Sequence, residues 1–438
     1  VLQATPLPKD YSVEAQSERE QEFGEALEAL DASLRDVQKY VPSFQRTLEL
    51  SDIQGILDKE TLLISFCVTD KGSLVFVVSR FGLIRSVDVP GFNTTDLNRL
   101  VFQFDDRGYI GGGWIQNISE SPDIIRKTID CVMAELGQKL LDPVIAEIPD
   151  NVTRLILLPS DNLFLLPIHA APLTDGRLIC DRFCVSYAPS IPLLLEMKNI
   201  AEERVADNSF YAVVNPTEDL VFSQCEGKTI SRLFQKGHVE EGLGGTRDAV
   251  LSNIRGQAYL HFSCHGYYNW NDPPQSGLKL ANDSRLTLSD LQNGDGFTLS
   301  ARLVTLSACE SGISDVIFGS PEEFVGLPAG FMLSGVPCIV SSLWSVPDIS
   351  TSLLMEKFYS NYIEKGMDIP SALQEAQNWV RNLTSSEVAG YVNECYSSSR
   401  NDRMKTRLKA YSNLAQKSPN AKPFVHPYYW AAFTVNGA

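Results

Sequence analysis

Three kinds of hydrophobic spacing follow one another along the chain. Phe23, Leu27, Leu30, Leu34, Val37 and Val41 alternate steps of four and three, which predicts an amphipathic helix over 22–41 after a polar, extended lead-in over 1–18. The period then changes. "TLLISFCVTDKGSLVFVVSRFGLIRSVDV" (61–89) reads as strand, Asp-Lys-Gly turn, strand, Phe-Gly turn, strand, an antiparallel meander. "GYIGGGWIQ" (108–116) reads as a loop. A helix follows in "SPDIIRKTIDCVMAELGQKLLDPV", with Ser121 at the cap position and Pro122 in the first turn.

From about residue 150 short apolar runs alternate with helical segments. "TRLILLP", "FYAVVN", "AYLHFSC", "ARLVTLS" and "PCIVSSLW" have the length and bounds of strands buried on both faces. Helices are expected around 191–203, 227–235, 246–254, 322–334, 350–364 and 370–382. The alternation predicts an α/β fold, a mostly parallel sheet with helices on both faces, whose ligands bind at the carboxyl ends of the strands. Residues 384–427 are polar and break the rhythm, so an insertion with one helix near 402–416 is expected before a last strand in "YYWAAFTV". The divisions are 1–50, a lead-in and helix; 51–145, the meander and a helix; and 146–438, the α/β half carrying the insertion.

Composition narrows the function. A length of 438 residues with 44% hydrophobic and 21% charged positions is that of a soluble globular protein. No apolar run reaches membrane-spanning length. The net charge of −17 argues against nucleic-acid and anionic membrane partners, since both need a basic footprint, and permits basic peptides. Nine cysteines, an odd number without any CxxC, fit a reducing cytoplasm. Cys67, Cys264 and Cys338 lie in apolar runs and read as small buried hydrophobes. Val1 rather than Met opens the chain, and no signal peptide does, which leaves room for an upstream region.

The chemistry gathers at two strand ends. "AYLHFSCHG" and "LVTLSACESG" are apolar runs that stop on His265 and Cys309. If the two strands are parallel neighbours, both side chains project from one edge, where an imidazole can turn the thiol into a thiolate nucleophile. Gly266 after the histidine leaves a backbone N–H unshielded, and with the Cys309 amide it supplies two donors for an oxyanion. A structural histidine and a structural cysteine are the plainer reading of each residue alone. A metal reading of His261, Cys264 and His265 is weakened by strand alternation, which turns Cys264 away from both histidines. Neither G-x-S-x-G nor a phosphate-binding glycine loop occurs, and no metal or cofactor is expected.

At these residues the chain resembles the CHAT family, caspase-like proteins often found beside helical TPR arrays. The matching stretches come in family order: "LILLPSDNLFLLPIHAAPLTDGRLICDRFCVSYAPS" (155–190), "YLHFSCHG", "LVTLSACESG", "EEFVGLPAGFMLSGVPCIVSSLWSVPD" (322–348) and "HPYYWAAFTVNG" (426–437). The resemblance implies a caspase- and separase-like three-layer fold and a cysteine endopeptidase with His265 as base and Cys309 as nucleophile. The reaction it implies is hydrolysis through a thioester, on a protein substrate bound extended along the strand edge. The TPR array would lie upstream, with the 22–41 helix as its stump, and a regulatory partner is expected. "LWSVPD" places Asp348 where separases carry an acidic group of the pocket for the residue before the cut; capping the next helix is its alternative role. Asp161, Trp344 as a pocket wall (core is the plainer reading of it), and Glu310 beside the nucleophile are further candidates for the substrate site. No third catalytic residue is obvious; a backbone carbonyl, or less readily Glu310, is expected to orient His265. The competing function is a non-cleaving scaffold that binds peptides on the same fold.

Overall fold

The computed structural model describes residues 49–102, 113–118, 120–204, 207–269, 272–292, 298–308, 311, 326–398, 402–415 and 418–437. The 22–41 helix and most of the 108–116 loop lie outside the described residues. The strands are β1 (Thr61–Thr69), β2 (Gly72–Ser79), β3 (Gly82–Val89), β4 (Arg154–Leu158), β5 (Cys184–Tyr187), β6 (Ser209–Val214) and β7 (Lys236–Glu241). They continue with β8 (Tyr259–Ser263), β9 (Gly266–Tyr267), β10 (Gly277–Lys279), β11 (Arg285–Thr287), β12 (Leu303–Ser307), β13 (Cys338–Ser342) and β14 (Phe433–Gly437). Helices of seven residues or more are α1 (Leu50–Ile56), α2 (Thr94–Phe102), α3 (Pro122–Leu136), α4 (Ile191–Glu203), α5 (Ser223–Ser231) and α6 (Arg247–Asn253). After them come α7 (Leu327–Leu333), α8 (Asp348–Tyr359), α9 (Ile369–Asn382), α10 (Ser385–Ser398) and α11 (Asp402–Ala415).

Eleven strands form one sheet in the order β3-β2-β1-β4-β5-β14-β13-β12-β8-β6-β7. Pairing is parallel from β13 through β12, β8 and β6 to β7, and from β1 through β4 to β5. It is antiparallel in the β1–β2–β3 meander and between β13 and β14. This is the mostly parallel α/β sheet expected from the sequence. β9, β10 and β11 make a separate small sheet beside it.

Alternation along the strands divides the core into two layers. On β8, Tyr259 packs with Ile230 of α5 and Leu354 of α8 on one face; Leu260 and Phe262 pack with Val250 of α6 and Phe331 of α7 on the other. β12 repeats this, Leu303 to the first face and Val304 and Leu306 to the second. Full burial of a side chain such as Phe262 stabilises by roughly 2–3 kcal/mol, so a slip of one residue in β8 would expose a whole set.

Four local features depart from the sequence reading. Residues 384–427 contain two helices, α10 and α11, not one. The apolar stripe of α10 is short, Val388, Ala389, Val392 and Cys395, and Ser and Asn around it hide the period. Ser121 does sit at the cap position of α3 with Pro122 behind it, but its side chain makes no capping bond. Cys67 is exposed, on the outward face of the meander, whereas Cys264 and Cys338 are buried as expected. One disulfide joins Cys225 of α5 to Cys395 of α10, a pairing across 170 residues that no sequence spacing announced.

Candidate active site

The parallel register sets three chain segments side by side. Ser307 of β12 lies opposite Ser263 of β8, and Ser263 opposite Val214 of β6. The residues that follow these three strands therefore leave the sheet at one edge. After β8 comes His265, after β12 comes position 309, and after β6 comes the loop 215–222. Cys309 and Glu310 themselves lie outside the described residues. Ala308 and Ser311, on either side, are buried, and Ser311 Oγ donates to the Leu306 carbonyl and accepts from the Ser342 N–H.

His265 is about one-third exposed, and its Nε2 lies 2.9 and 3.0 Å from the two carboxylate oxygens of Asp219. Asp219 belongs to the loop after β6. The loop is a tight turn: Asn215 has φ 50°, its N–H reaches the Ser263 carbonyl, and its Oδ1 accepts the Leu220 N–H at 2.9 Å. Burial pushes the Asp219 carboxyl up, but hydrogen bonds from Thr217 and His265 and the charge of the imidazole outweigh it and leave it below its ordinary value. Sequence reasoning found no partner for His265 beyond a backbone carbonyl or Glu310. The partner stands in "NPTED", which reads only as a turn.

Gly266 opens β9. The Lys279 N–H donates to the His265 carbonyl at 2.8 Å, and Gly266 faces Leu278 across the pair. That pattern makes Gly266–Leu278 a non-hydrogen-bonded pair, so the Gly266 N–H is turned away from β10 toward the free side of the small sheet.

His265 lines a cavity of about 160 Å³ with Leu220, Ser263, Ser307, Ser342 and Asp348. Asp348 is the first residue of α8 and makes no side-chain cap to it. Its Oδ2 instead accepts the Phe222 N–H at 2.8 Å. Burial pushes its carboxyl up to about 6, with the Glu226 charge adding to the effect against the pull of the Phe222 and Val221 N–H groups. Ser307 Oγ, also on the cavity wall, has no hydrogen-bond partner among the described residues.

The remaining expected residues fall elsewhere. Asp161 follows β4, and β5, β14 and β13 stand between β4 and β12; at about 4.8 Å per strand it is removed by roughly 19 Å, and it does not line the cavity. Trp344 is fully buried, edge-on to Trp114 at 5.7 Å, with Nε1 donating to the Tyr428 carbonyl at 3.0 Å. It is core and not a pocket wall, because its indole N–H is already satisfied inside the fold. His261 is also fully buried, its Nε2 2.8 Å from Glu226 Oε1. Cys264 packs into the opposite face, as strand alternation requires. No group of three or more His, Cys, Asp or Glu able to hold a metal exists among the described residues, and no helix among them is long and apolar enough to cross a membrane.

The CHAT-domain family matches residues 132–438, more than half of the chain, and the chain belongs to that family. Among solved structures, two crystal structures of the Saccharomyces cerevisiae separase–securin complex are similar. One has 12% identity and TM-score 0.40 over 73% of this chain and 18% of that one. The other has 9% identity and TM-score 0.47 over 75% and 29%. The Arg-specific cysteine proteinase gingipain R matches with 10% identity and TM-score 0.38 over 74% of this chain and 69% of that one. The chain thus spans less than a third of the separase chains. No curated protein matches it.

Proposed function

We propose that this chain is a cysteine endopeptidase in which Cys309 is the nucleophile and His265 the general base and acid. Asp219 orients the imidazole through Nε2, which leaves Nδ1 for the thiol. The thiolate adds to the scissile carbonyl, and the oxyanion takes hydrogen bonds from the Gly266 and Cys309 amides. His265 then protonates the leaving amine, and water releases the acyl group from the thioester. Asp348 receives a basic side chain before the cut, with Ser307 Oγ as an additional acceptor. The observation that carries this reading is the pairing of β8 with β12: it brings the chain that follows each strand to one edge, beside an acidic cavity.

The test is a peptide-library digest with the wild type, Cys309→Ala and His265→Ala. Cleavage after Arg or Lys by the wild type alone is expected, with the double variant hardly worse than either single, since dyad members act as a unit. Substantial cleavage by folded Cys309→Ala would overturn the assignment. Binding of peptides without cleavage by the wild type would favour a scaffold. We also propose that a regulatory partner controls the site; a purified chain with kcat/KM of about 10⁴ M⁻¹s⁻¹ or more would show that it needs none.

A further inference from the structure

The loop that carries Asp219 is held from outside as well as from the sheet. Arg407 of α11 donates from Nη1 to the Asp219 carbonyl at 2.9 Å. Phe222, at the end of the loop, stacks on Tyr391 of α10 with ring centroids 6.1 Å apart and planes 19° apart. Tyr391 in turn donates to Glu356 of α8 at 2.6 Å and meets Ser352. Three residues beyond Phe222, Cys225 is bonded to Cys395 of α10. The two helices are tied to each other by Ser412 Oγ donating to Asn393 Oδ1 at 3.1 Å. A single exposed Arg–carbonyl bond holds little by itself. The covalent staple keeps α10 against α5, and so keeps α11 within reach of the loop.

We infer that the α10–α11 hairpin positions His265 through the Asp219 loop, and that the Cys225–Cys395 disulfide makes this hold redox-dependent. The inference rests on the reading of His265 as the catalytic base. A dithiol reductant supplies two electrons and two protons: the Cys225–Cys395 bond breaks, both sulfurs become thiols, and the reductant closes to its own disulfide. The hairpin then keeps only non-covalent ties: its apolar contacts, the Tyr391 bonds, the backbone bonds of Ser385 and Ser386, and the single Arg407–Asp219 carbonyl bond. The loop gains freedom, Asp219 leaves its place on Nε2 for part of the time, and turnover falls. In a reducing compartment a pair of this kind acts as a sensor and not as a permanent brace.

The experiment uses the full chain and compares the oxidised wild type with C225S/C395S, R407A, R407K and a surface control, Cys67→Ser. Added reductant alone is a poor probe of activity, because it also acts on Cys309; the double variant isolates the staple. Three quantities are read: amide hydrogen exchange over 215–222, the His265 imidazole NMR signals, and peptide cleavage. In C225S/C395S, exchange over 215–222 should rise about tenfold or more while β8 and β12 keep their protection. The His265 signals should move, and kcat should drop roughly tenfold with KM within about twofold. R407A should move all three the same way by less, R407K should restore most of the change, and Cys67→Ser should change nothing. If C225S/C395S does not fold, exchange in the dithiol-reduced wild type reads the same loop. Unchanged loop exchange and an unchanged His265 signal after loss of the disulfide overturn the inference. Equal cleavage by oxidised wild type and folded C225S/C395S overturns it while leaving the peptidase reading intact. A responding loop in a chain that cleaves nothing in any form supports the positioning and sinks the peptidase.

Discussion

Asp348→Asn separates stability from selectivity. The carboxyl of Asp348 moves from its ordinary 3.8 to about 6 in the fold, chiefly because it is buried. Below 3.8 it is protonated in both folded and unfolded chains and has no effect on the balance. Between 3.8 and 6 the folded chain holds the proton more tightly, so stability declines as pH rises. Above 6 the full difference persists, about 3 kcal/mol against folding. Asparagine keeps an acceptor for the Phe222 N–H and removes the charge. The variant should therefore match the wild type near pH 3.5 and exceed it by roughly 1–3 kcal/mol at pH 8, read by urea unfolding at both values. Its selectivity should move the other way: cleavage after Arg relative to Leu should fall about tenfold or more. For Arg substrates the wild type should show an acid limb in kcat/KM near pH 6 that Asp348→Asn lacks, because a guanidinium needs the ionised carboxylate. An Asp348→Asn chain less stable than wild type at pH 8 would refute the buried-charge argument. An unchanged Arg-to-Leu ratio would remove Asp348 from the specificity pocket.

Asp219→Asn should lower kcat by about 10- to 100-fold with KM little changed, and Asp219→Glu should recover part of it; steady-state kinetics on one Arg peptide decides, and equal kcat in all three would exclude the orienting role. Cys264→Ala should leave kcat/KM intact while costing about 1–2 kcal/mol in urea unfolding, since the side chain is buried in the second core layer with Leu260 and Phe262. A folded but inactive Cys264→Ala would mean that the wrong cysteine had been assigned. Trp344→Phe should lower stability, through the lost bond to the Tyr428 carbonyl and the smaller ring, without reordering the preferred residues in the digest.

What was legible in the sequence was whatever the local period records. β6, β8, β12 and β13 are buried on both faces, so each reads as a mainly apolar run, and His265 is visible because it follows one. β7 was missed because it is a polar edge strand, Lys-Gly-His-Val-Glu-Glu, with no apolar run to mark it. Asp219 was missed for a different reason. It reaches His265 only because β6 lies beside β8, while α5, β7 and α6 separate the two in sequence. The disulfide is the same kind of long-range fact. Trp344 was read with two roles open, pocket wall or core, and its edge contact with Trp114 and its satisfied indole N–H belong to the core role. Asp348 was read with both roles open, and the N–H it accepts, from Phe222 and not from its own helix, removes the capping role.

The segments that follow β6, β8 and β12 are encoded far apart, yet none of the strands beneath them depends on the residue at its tip for burial. Chemistry and stability are therefore carried by different positions. A lineage can exchange Asp219 or His265 one at a time, each by a single codon, without disturbing the layers that hold the sheet. If the chain is the peptidase proposed above, such a change would silence cleavage and keep the cavity and its acid, one mutation from a peptide receptor. The reverse path is equally short, which makes the presence of both His265 and Cys309 in one chain the informative state.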